Sequence, residues 1–307
     1  MKVLILGAGG FIGDHLSNFL LAKGCEVIGA DLNLINKKIK VEKCDVLNKN
    51  DIKSILKKHH PDIIYHLAAQ SFPAVSWSKP NLTFKVNIEG LINLFESVKD
   101  LRIDPLIILP CSSAEYGSLN KEQVPVKENS RLLPINPYGI SKVVQGLLAY
   151  QYYKNFGIRY ISARIFNATG PRRINDVCSD FTKRAVQIEK GIIEPILQVG
   201  NLKSRRAITD VRDVVKAFWL LINHGKVGEV YNICGDKVYS IQEILEKILE
   251  ITGINPQIRQ DANLLRPSDE SIIVGDIEKI KMDAGWEPKI ILEKTLKDMI
   301  EYWRLNL

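Results

Sequence analysis

The sequence predicts an α/β protein, a doubly wound parallel sheet followed by a smaller mixed α/β lobe. Three observations carry this expectation. Short apolar runs alternate with amphipathic stretches through the first 170 residues. A glycine cluster, GAGGFIG, marks the first change from one to the other. Beyond Thr169 that regular alternation gives way to mixed segments. Strands alternating with helices of this length favour a parallel sheet covered on both faces.

Taken in order, KVLIL at 2–6 is the first strand, FIGDHLSNFLLAKG the first helix and CEVIGAD the second strand. A helix near NKNDIKSILKKHH, a strand at DIIYHLAA, a helix around NIEGLINLFESVKD and a strand at PLIILPCSS continue the pattern. The helix after NPYGISK and the strand RYISARIF extend it. TGPRR then reads as a loop, DFTKRAVQIEKG as helical, PILQVG as extended, and DVRDVVKAFWLLINHG and SIQEILEKILEITG as helices. The expected division is a dinucleotide-binding domain over 1–170 and a substrate-binding lobe over 171–307, partly interleaved with it.

Composition narrows the function class. The 307 residues are 46% hydrophobic and 25% charged, ordinary for a globular protein with a sizeable core. No apolar run approaches the roughly 20 residues of a spanning helix, and MKVLILGAGG is too short and glycine-rich for a signal peptide. A cytoplasmic protein is expected. The net charge of +7 comes from lysines mixed with acids, which points to solvated faces and not to a nucleic-acid partner. Such a field also suits a small anion. Five cysteines without short paired spacing are expected to be reduced packing residues, with no metal site.

Gly7, Gly10 and Gly13 lie between the first strand and the first helix, with Phe11 and Ile12 opening that helix. Glycines there permit a tight turn, a close backbone approach and close helix–strand packing. The helix N-terminus then offers free N–H groups to a pyrophosphate. Asp31 ends the second strand, where a carboxylate accepts from ribose hydroxyls and repels a 2′-phosphate. Leu32, Asn33 and Leu34 supply no arginine to offset it. The expected cofactor is NAD(H) over NADP(H).

Tyr138 and Lys142, four apart in NPYGISK, share one helix face. These and other motifs resemble the extended short-chain dehydrogenase/reductase family. The matching stretches are GAGGFIG, CDVLN (44–48), HLAAQ (66–70), NIEG (87–90), SSAEYG (112–117) and YGISK (138–142). Further along come RIFNATGPR (164–172), TDVRD (209–213), LRPSD (265–269) and GWEP (285–288). NPYGISK, FNATGP, VGNLKSRR and LRPSD look most like GDP-4-keto-6-deoxymannose reductases and their GDP-mannose 4,6-dehydratase relatives. The resemblance implies a proton-exchanging Tyr138, a Lys142 whose charge favours the phenolate, and a Ser112 hydroxyl on the reacting oxygen, with Ser113 as second candidate. It also implies cofactor contacts from Asp45, Val46, Leu67, Ala68, Ala69 and Asn87. On the substrate side it implies Asn167, Arg206 on the diphosphate, Arg266 and Asp269 on the nucleotide, and Arg172 and Arg205 as helpers. Ala207 and Ile208 depart from the acid and aromatic usual there.

The 4,6-dehydratases carry a glutamate where Ala114 stands, and Glu115 is one residue away. On an extended segment a shift of one turns the side chain to the opposite face, so Glu115 is expected to be a solvated loop carboxylate. The resulting expectation is reduction at C4 of a GDP-linked 4-keto-6-deoxyhexose. A 4-epimerase is the alternative, followed by a dehydratase and then a non-catalytic NAD-binding protein. The helices over 88–99 and 138–154 resemble those of a homodimer interface.

Overall fold

The computed structural model describes residues 1–34, 38–264 and 272–307. Its elements run β1 (Lys2–Leu6), α1 (Phe11–Ala22), β2 (Glu26–Asp31), β3 (Val41–Lys43), α2 (Lys49–His59), β4 (Ile63–His66), α3 (Pro73–Ser78) and α4 (Pro80–Phe84). A π-helical turn, Lys85–Glu89, leads into α5 (Gly90–Leu101), then β5 (Leu106–Ser112), α6 (Pro137–Phe156), β6 (Tyr160–Ile165) and β7 (Ala168–Thr169). Next come α7 (Val177–Glu189), β8 (Ile196–Val199), β9 (Arg205–Ala207), β10 (Thr209–Asp210), α8 (Val211–His224) and β11 (Val230–Ile233). The chain ends with β12 (Val238–Ser240), α9 (Ile241–Thr252), β13 (Gln257–Gln260), β14 (Ile272–Ile273), α10 (Glu278–Ala284) and α11 (Leu292–Asn306).

Seven parallel strands form the main sheet in the order β3-β2-β1-β4-β5-β6-β11. The order reverses between β1 and β4, so a crevice opens above their carboxyl ends, where ligands of such sheets bind. Alternate strand residues face opposite layers. Val3, Ile5, Tyr65, Ile108 and Ile161 pack with Leu16, Phe218 and Ile280 from α1, α8 and α10. Leu4, Leu6, Ile64, Ile107 and Leu109 pack with Ile52, Phe95 and Ala149 from α2, α5 and α6. Both faces are therefore buried, which is why these strands read as continuous apolar runs.

A separate core joins α7, α9 and α11 through Phe181, Ile244, Leu296 and Trp303. Small pairings surround it: β9 with β12 and β14, β8 with β13, and β7 with β10. The chain does not divide cleanly at residue 170. Both α8 and β11 return to the main sheet, and the Trp286 indole, following α10, donates to the Asp213 carbonyl at 3.0 Å. All five cysteines are buried thiols.

Candidate active site

The glycine turn opens the crevice. Gly7 leaves β1 at φ +91°, and a Cβ there would stand 2.6 Å from the Ala68 nitrogen. Only glycine lets the β1 and β4 loops come so close. Gly10 caps α1 without a side chain, so the first-turn N–H groups, from Phe11, Ile12 and Gly13, lack carbonyls four residues back. Asp31 is held in place: Oδ2 accepts from Gly9 N at 2.8 Å and Oδ1 from Asn33 N at 3.0 Å. A cradle that a side chain would fill, an open helix N-terminus and a carboxylate on the neighbouring strand end together fit a dinucleotide. Asp45 and Val46 follow β3. Asp45 Oδ1 accepts from Leu47 N, and Val46 is buried where a side chain at Gly90 would meet it at 2.9 Å. Leu67, Ala68 and Ala69 follow β4, and the Leu67 nitrogen donates to the Leu6 carbonyl.

On the opposite wall, Asn136 caps α6 by accepting from Gly139 N at 2.8 Å, and Pro137 fixes the first helical residue. A Cβ at Gly139 would lie 2.5 Å from the Ala114 carbonyl. That close seat brings Tyr138 to the end of β5, beside Ser112. Lys142 Nζ lies 5.8 Å from the Tyr138 ring centre and donates to the Pro110 carbonyl at 2.9 Å. Ser112, Tyr138 and Lys142 therefore meet, as the sequence suggested.

Burial pushes the Tyr138 phenol up to about 12; the Ser112 hydrogen bond opposes this, Glu115 adds to it and Arg173 opposes it. Burial also pulls Lys142 below its ordinary value, against Cys111 and Glu115. Removal from water is the largest influence on both groups.

The π-helical turn before α5 carries Asn87, fully buried beneath this group. Asn87 Nδ2 donates to Ser141 Oγ at 2.9 Å and to the Gln70 carbonyl at 3.1 Å, and its Oδ1 accepts from Gln70 N at 2.8 Å. Gln145 Nε2 donates to the Asn87 carbonyl at 2.7 Å. π turns recur at functional sites. Here one ties the β4 loop to α6. His66, ending β4, is 2% exposed, and neither ring nitrogen has a partner among the described residues. Burial, aided by the Lys142 charge, holds it down at about 3, so its ring is neutral.

Glu115 is not the solvated carboxylate expected. It is 1% exposed, and Oε2 accepts from Arg164 Nε at 2.7 Å while Oε1 accepts from Ser112 N at 3.0 Å. The parity expected of an extended segment does not apply, because Ser113–Glu115 form a 3-10 turn capped by Ser112. Arg164 also donates to Tyr116 Oη at 3.0 Å and to the Glu128 carbonyl at 2.8 Å. Ser113 is buried in the same turn.

The expected substrate residues are spread wider. Asn167, at φ +37°, donates to the Ala207 carbonyl at 3.2 Å, joining β6 to β9. Arg206 is half-buried on β9 and donates to the Arg205 carbonyl; Arg205 itself is exposed. Arg172 lies against the glycine turn, donating to the Gly9 carbonyl at 2.9 Å. Arg266 and Asp269 lie outside the described residues. Sequence reasoning missed Arg164, Ser141, Gln145 and Gln70. Of these only Ser141 and Gln145 carried a signal, following Tyr138 by three and seven on its helix face.

The comparisons with known proteins agree with this geometry. The GDP-6-deoxy-D-mannose reductase of Pseudomonas aeruginosa is 26% identical over 303 residues, covering 98% of this chain and 97% of the relative. The structure of RMD from P. aeruginosa complexed with NADPH superposes with a TM-score of 0.90 at 26% identity, over 100% and 99% of the two chains. The UDP-glucose 4-epimerase of Thermus thermophilus, solved with NAD, gives 0.88 at 26% identity over 99% of each chain. The model of one family, described as GDP-mannose 4,6 dehydratase, matches residues 4–299. That match takes in both walls of the crevice and the lobe beyond them: the chain belongs to the GDP-mannose 4,6 dehydratase family, whose members are nucleotide-sugar enzymes of the extended short-chain dehydrogenase/reductase type.

Proposed function

We propose that the protein is an NADH-dependent reductase acting at C4 of a GDP-linked 4-keto-6-deoxyhexose. The observation that carries this reading is the meeting of buried Tyr138, at the start of α6, with Lys142, whose Nζ lies 5.8 Å from its ring centre, and with Ser112 at the end of β5. The bound cofactor supplies the hydride. Tyr138 gives a proton to the carbonyl oxygen as it gains charge, Ser112 holds that oxygen, and Lys142 supports the phenolate left behind. A reduced nicotinamide is uncharged and leaves the phenol protonated, which suits a donor. Water elimination from GDP-mannose needs a carboxylate to remove a proton from carbon. Ala114 lacks one, and Glu115 is engaged by Arg164 and Ser112.

Asp31, held at the rim of the glycine turn, supports NAD(H) over NADP(H). The likeness to the NAD-bound epimerase supports a second reading, 4-epimerisation with retained NAD. On the substrate side Arg206, Asn167, Ser113, Arg266 and Asp269 bind the nucleotide sugar, with residues beyond 170 supplying most of that lobe. The protein is cytoplasmic and forms a homodimer through α5 and α6. Ile140, Leu147 and Tyr150 of α6 lie seven and three apart and are exposed, leaving an apolar stripe for a second copy.

Purified protein incubated with GDP-, UDP-, dTDP- and CDP-linked 4-keto sugars, and with the parent sugars, tests the reading. Stoichiometric NADH loss with a GDP-linked 4-keto sugar is expected. Sugar inversion without net NADH consumption would replace it with the epimerase, and release of a 4-keto-6-deoxy product from GDP-mannose with the dehydratase.

A further inference from the structure

Arg172 arrives at the glycine turn from more than 160 residues away, on a loop with unusual backbone. Gly170, Arg172 and Asn175 have φ values of +150°, +73° and +61°. A non-glycine residue persists in the left-handed region where surrounding contacts hold it, and here several do. Arg172 donates to the Gly9 carbonyl at 2.9 Å and the Gly10 carbonyl at 3.4 Å, and stands 3.4 Å from the Asp14 carboxylate. His15 Nε2 hydrogen-bonds the Pro171 carbonyl at 2.9 Å. The Arg173 guanidinium sits 5.1 Å from the Phe11 ring centre. The 170–175 loop is thus fastened along the first turn of α1.

That first turn has an electrostatic fault as an anion site. Its charged residue is Asp14, with no lysine or arginine beside it in sequence. A carboxylate there stabilises the helix terminus but repels a diphosphate drawn to the same positive potential. Arg172 offsets Asp14 and fixes the carbonyls of the two glycines whose loop approaches the ligand. Its side chain remains 30% exposed at the glycine turn. We propose that Arg172 is a cofactor-binding residue: it neutralises Asp14 and brings a positive charge to the dinucleotide diphosphate, and is not a contact of the sugar nucleotide. This rests on the NAD(H) reading above.

The test is NADH titration by fluorescence, at low and high salt, on wild type, Arg172→Ala, Arg172→Lys, Asp14→Asn and the Arg172→Ala/Asp14→Asn pair. Wild type must bind NADH first; failure there removes the NAD(H) reading itself. Arg172→Ala is expected to weaken NADH about tenfold, as loss of one helix-terminal charge contact and exposure of an opposing one suggest. The effect should shrink at high salt. Adding Asp14→Asn should recover most of the loss, because the uncompensated carboxylate goes with it. Arg172→Lys, which keeps the charge, should fall in between and serves as the probe if the alanine variant does not fold. NADH affinity within twofold of wild type in Arg172→Ala would overturn the proposal. So would no recovery in the double variant, or a loss confined to the KM for the sugar nucleotide.

Discussion

Replacing Arg164 with methionine tests whether the buried Glu115 pair holds the carboxyl end of β5. The side chains of Arg164 and Glu115 are 9% and 1% exposed, so neither is compensated by water when the other is removed. After Arg164→Met, Glu115 keeps the Ser112 N–H, while Tyr116 Oη and the Glu128 carbonyl lose a donor. Breaking one side of such a pair costs about 3–5 kcal/mol. At roughly 2.1 cal/mol/K per residue, the 307 residues give an unfolding entropy of about 0.64 kcal/mol/K. A loss of about 4 kcal/mol then lowers Tm by about 6 °C. Glu115→Gln retains an acceptor for Ser112 N and should lose about half as much. Because the two groups share one interaction, the double variant should lose less than the sum of the singles. Thermal unfolding of the four proteins is the assay. A Tm for Arg164→Met within about 1 °C of wild type, or strict additivity, would refute the buried-pair reasoning.

Tyr138→Phe removes the exchangeable proton while keeping the ring; kcat for 4-keto reduction should fall by about 10² to 10⁴ with NADH affinity nearly unchanged, and full retained activity would remove Tyr138 from the chemistry. Asp31→Ala, combined with Leu32→Arg, should shift the NADPH/NADH affinity ratio toward NADPH by about tenfold or more, and equal wild-type affinity for the two cofactors would contradict the role given to Asp31. His66, with its folded value near 3 against 6.5 for an ordinary histidine, binds a proton more readily in the unfolded chain. Its contribution is therefore complete above about pH 6.5 and is lost as pH falls toward 3, at up to about 1.4 kcal/mol per pH unit. Urea unfolding across that range should be steeper in wild type than in His66→Phe, and identical slopes would sink the idea.

The main sheet was legible because its strands are buried on both faces. KVLIL, DIIYHLAA and PLIILPCSS are apolar without interruption, and each is followed by a helix whose apolar face returns to the sheet. The glycine turn and Asp31 were legible for a related reason: the βαβ connection fixes where both lie once the strands are placed. Tyr138 and Lys142 could be paired because one helix turn separates them. Where the sequence was silent, the information is carried by long-range contacts. β11 follows Gly228 in the region read as the second lobe, yet pairs with β6 in the main sheet. No local pattern in VYNI distinguishes those two placements.

The reading of Glu115 shows most clearly how a local rule fails at a site. The strand-parity rule requires an extended backbone, and the chain leaves the extended state one residue too early for it. Ser112 is the last residue of β5, and its own hydroxyl caps the 3-10 turn that follows by accepting from Ala114 N at 3.2 Å. Once turned, Glu115 points inward and would be an unpaired buried charge, an arrangement that proteins avoid. Arg164 resolves this from the neighbouring strand, where Cys111 pairs in register with Arg164. The same serine that faces Tyr138 thus starts the turn that draws in the ion pair, and the ion pair in turn holds the serine's backbone nitrogen. The sequence reading put Glu115 on a solvated loop; the structure turns it to the interior, where Arg164 and the Ser112 nitrogen engage its carboxylate.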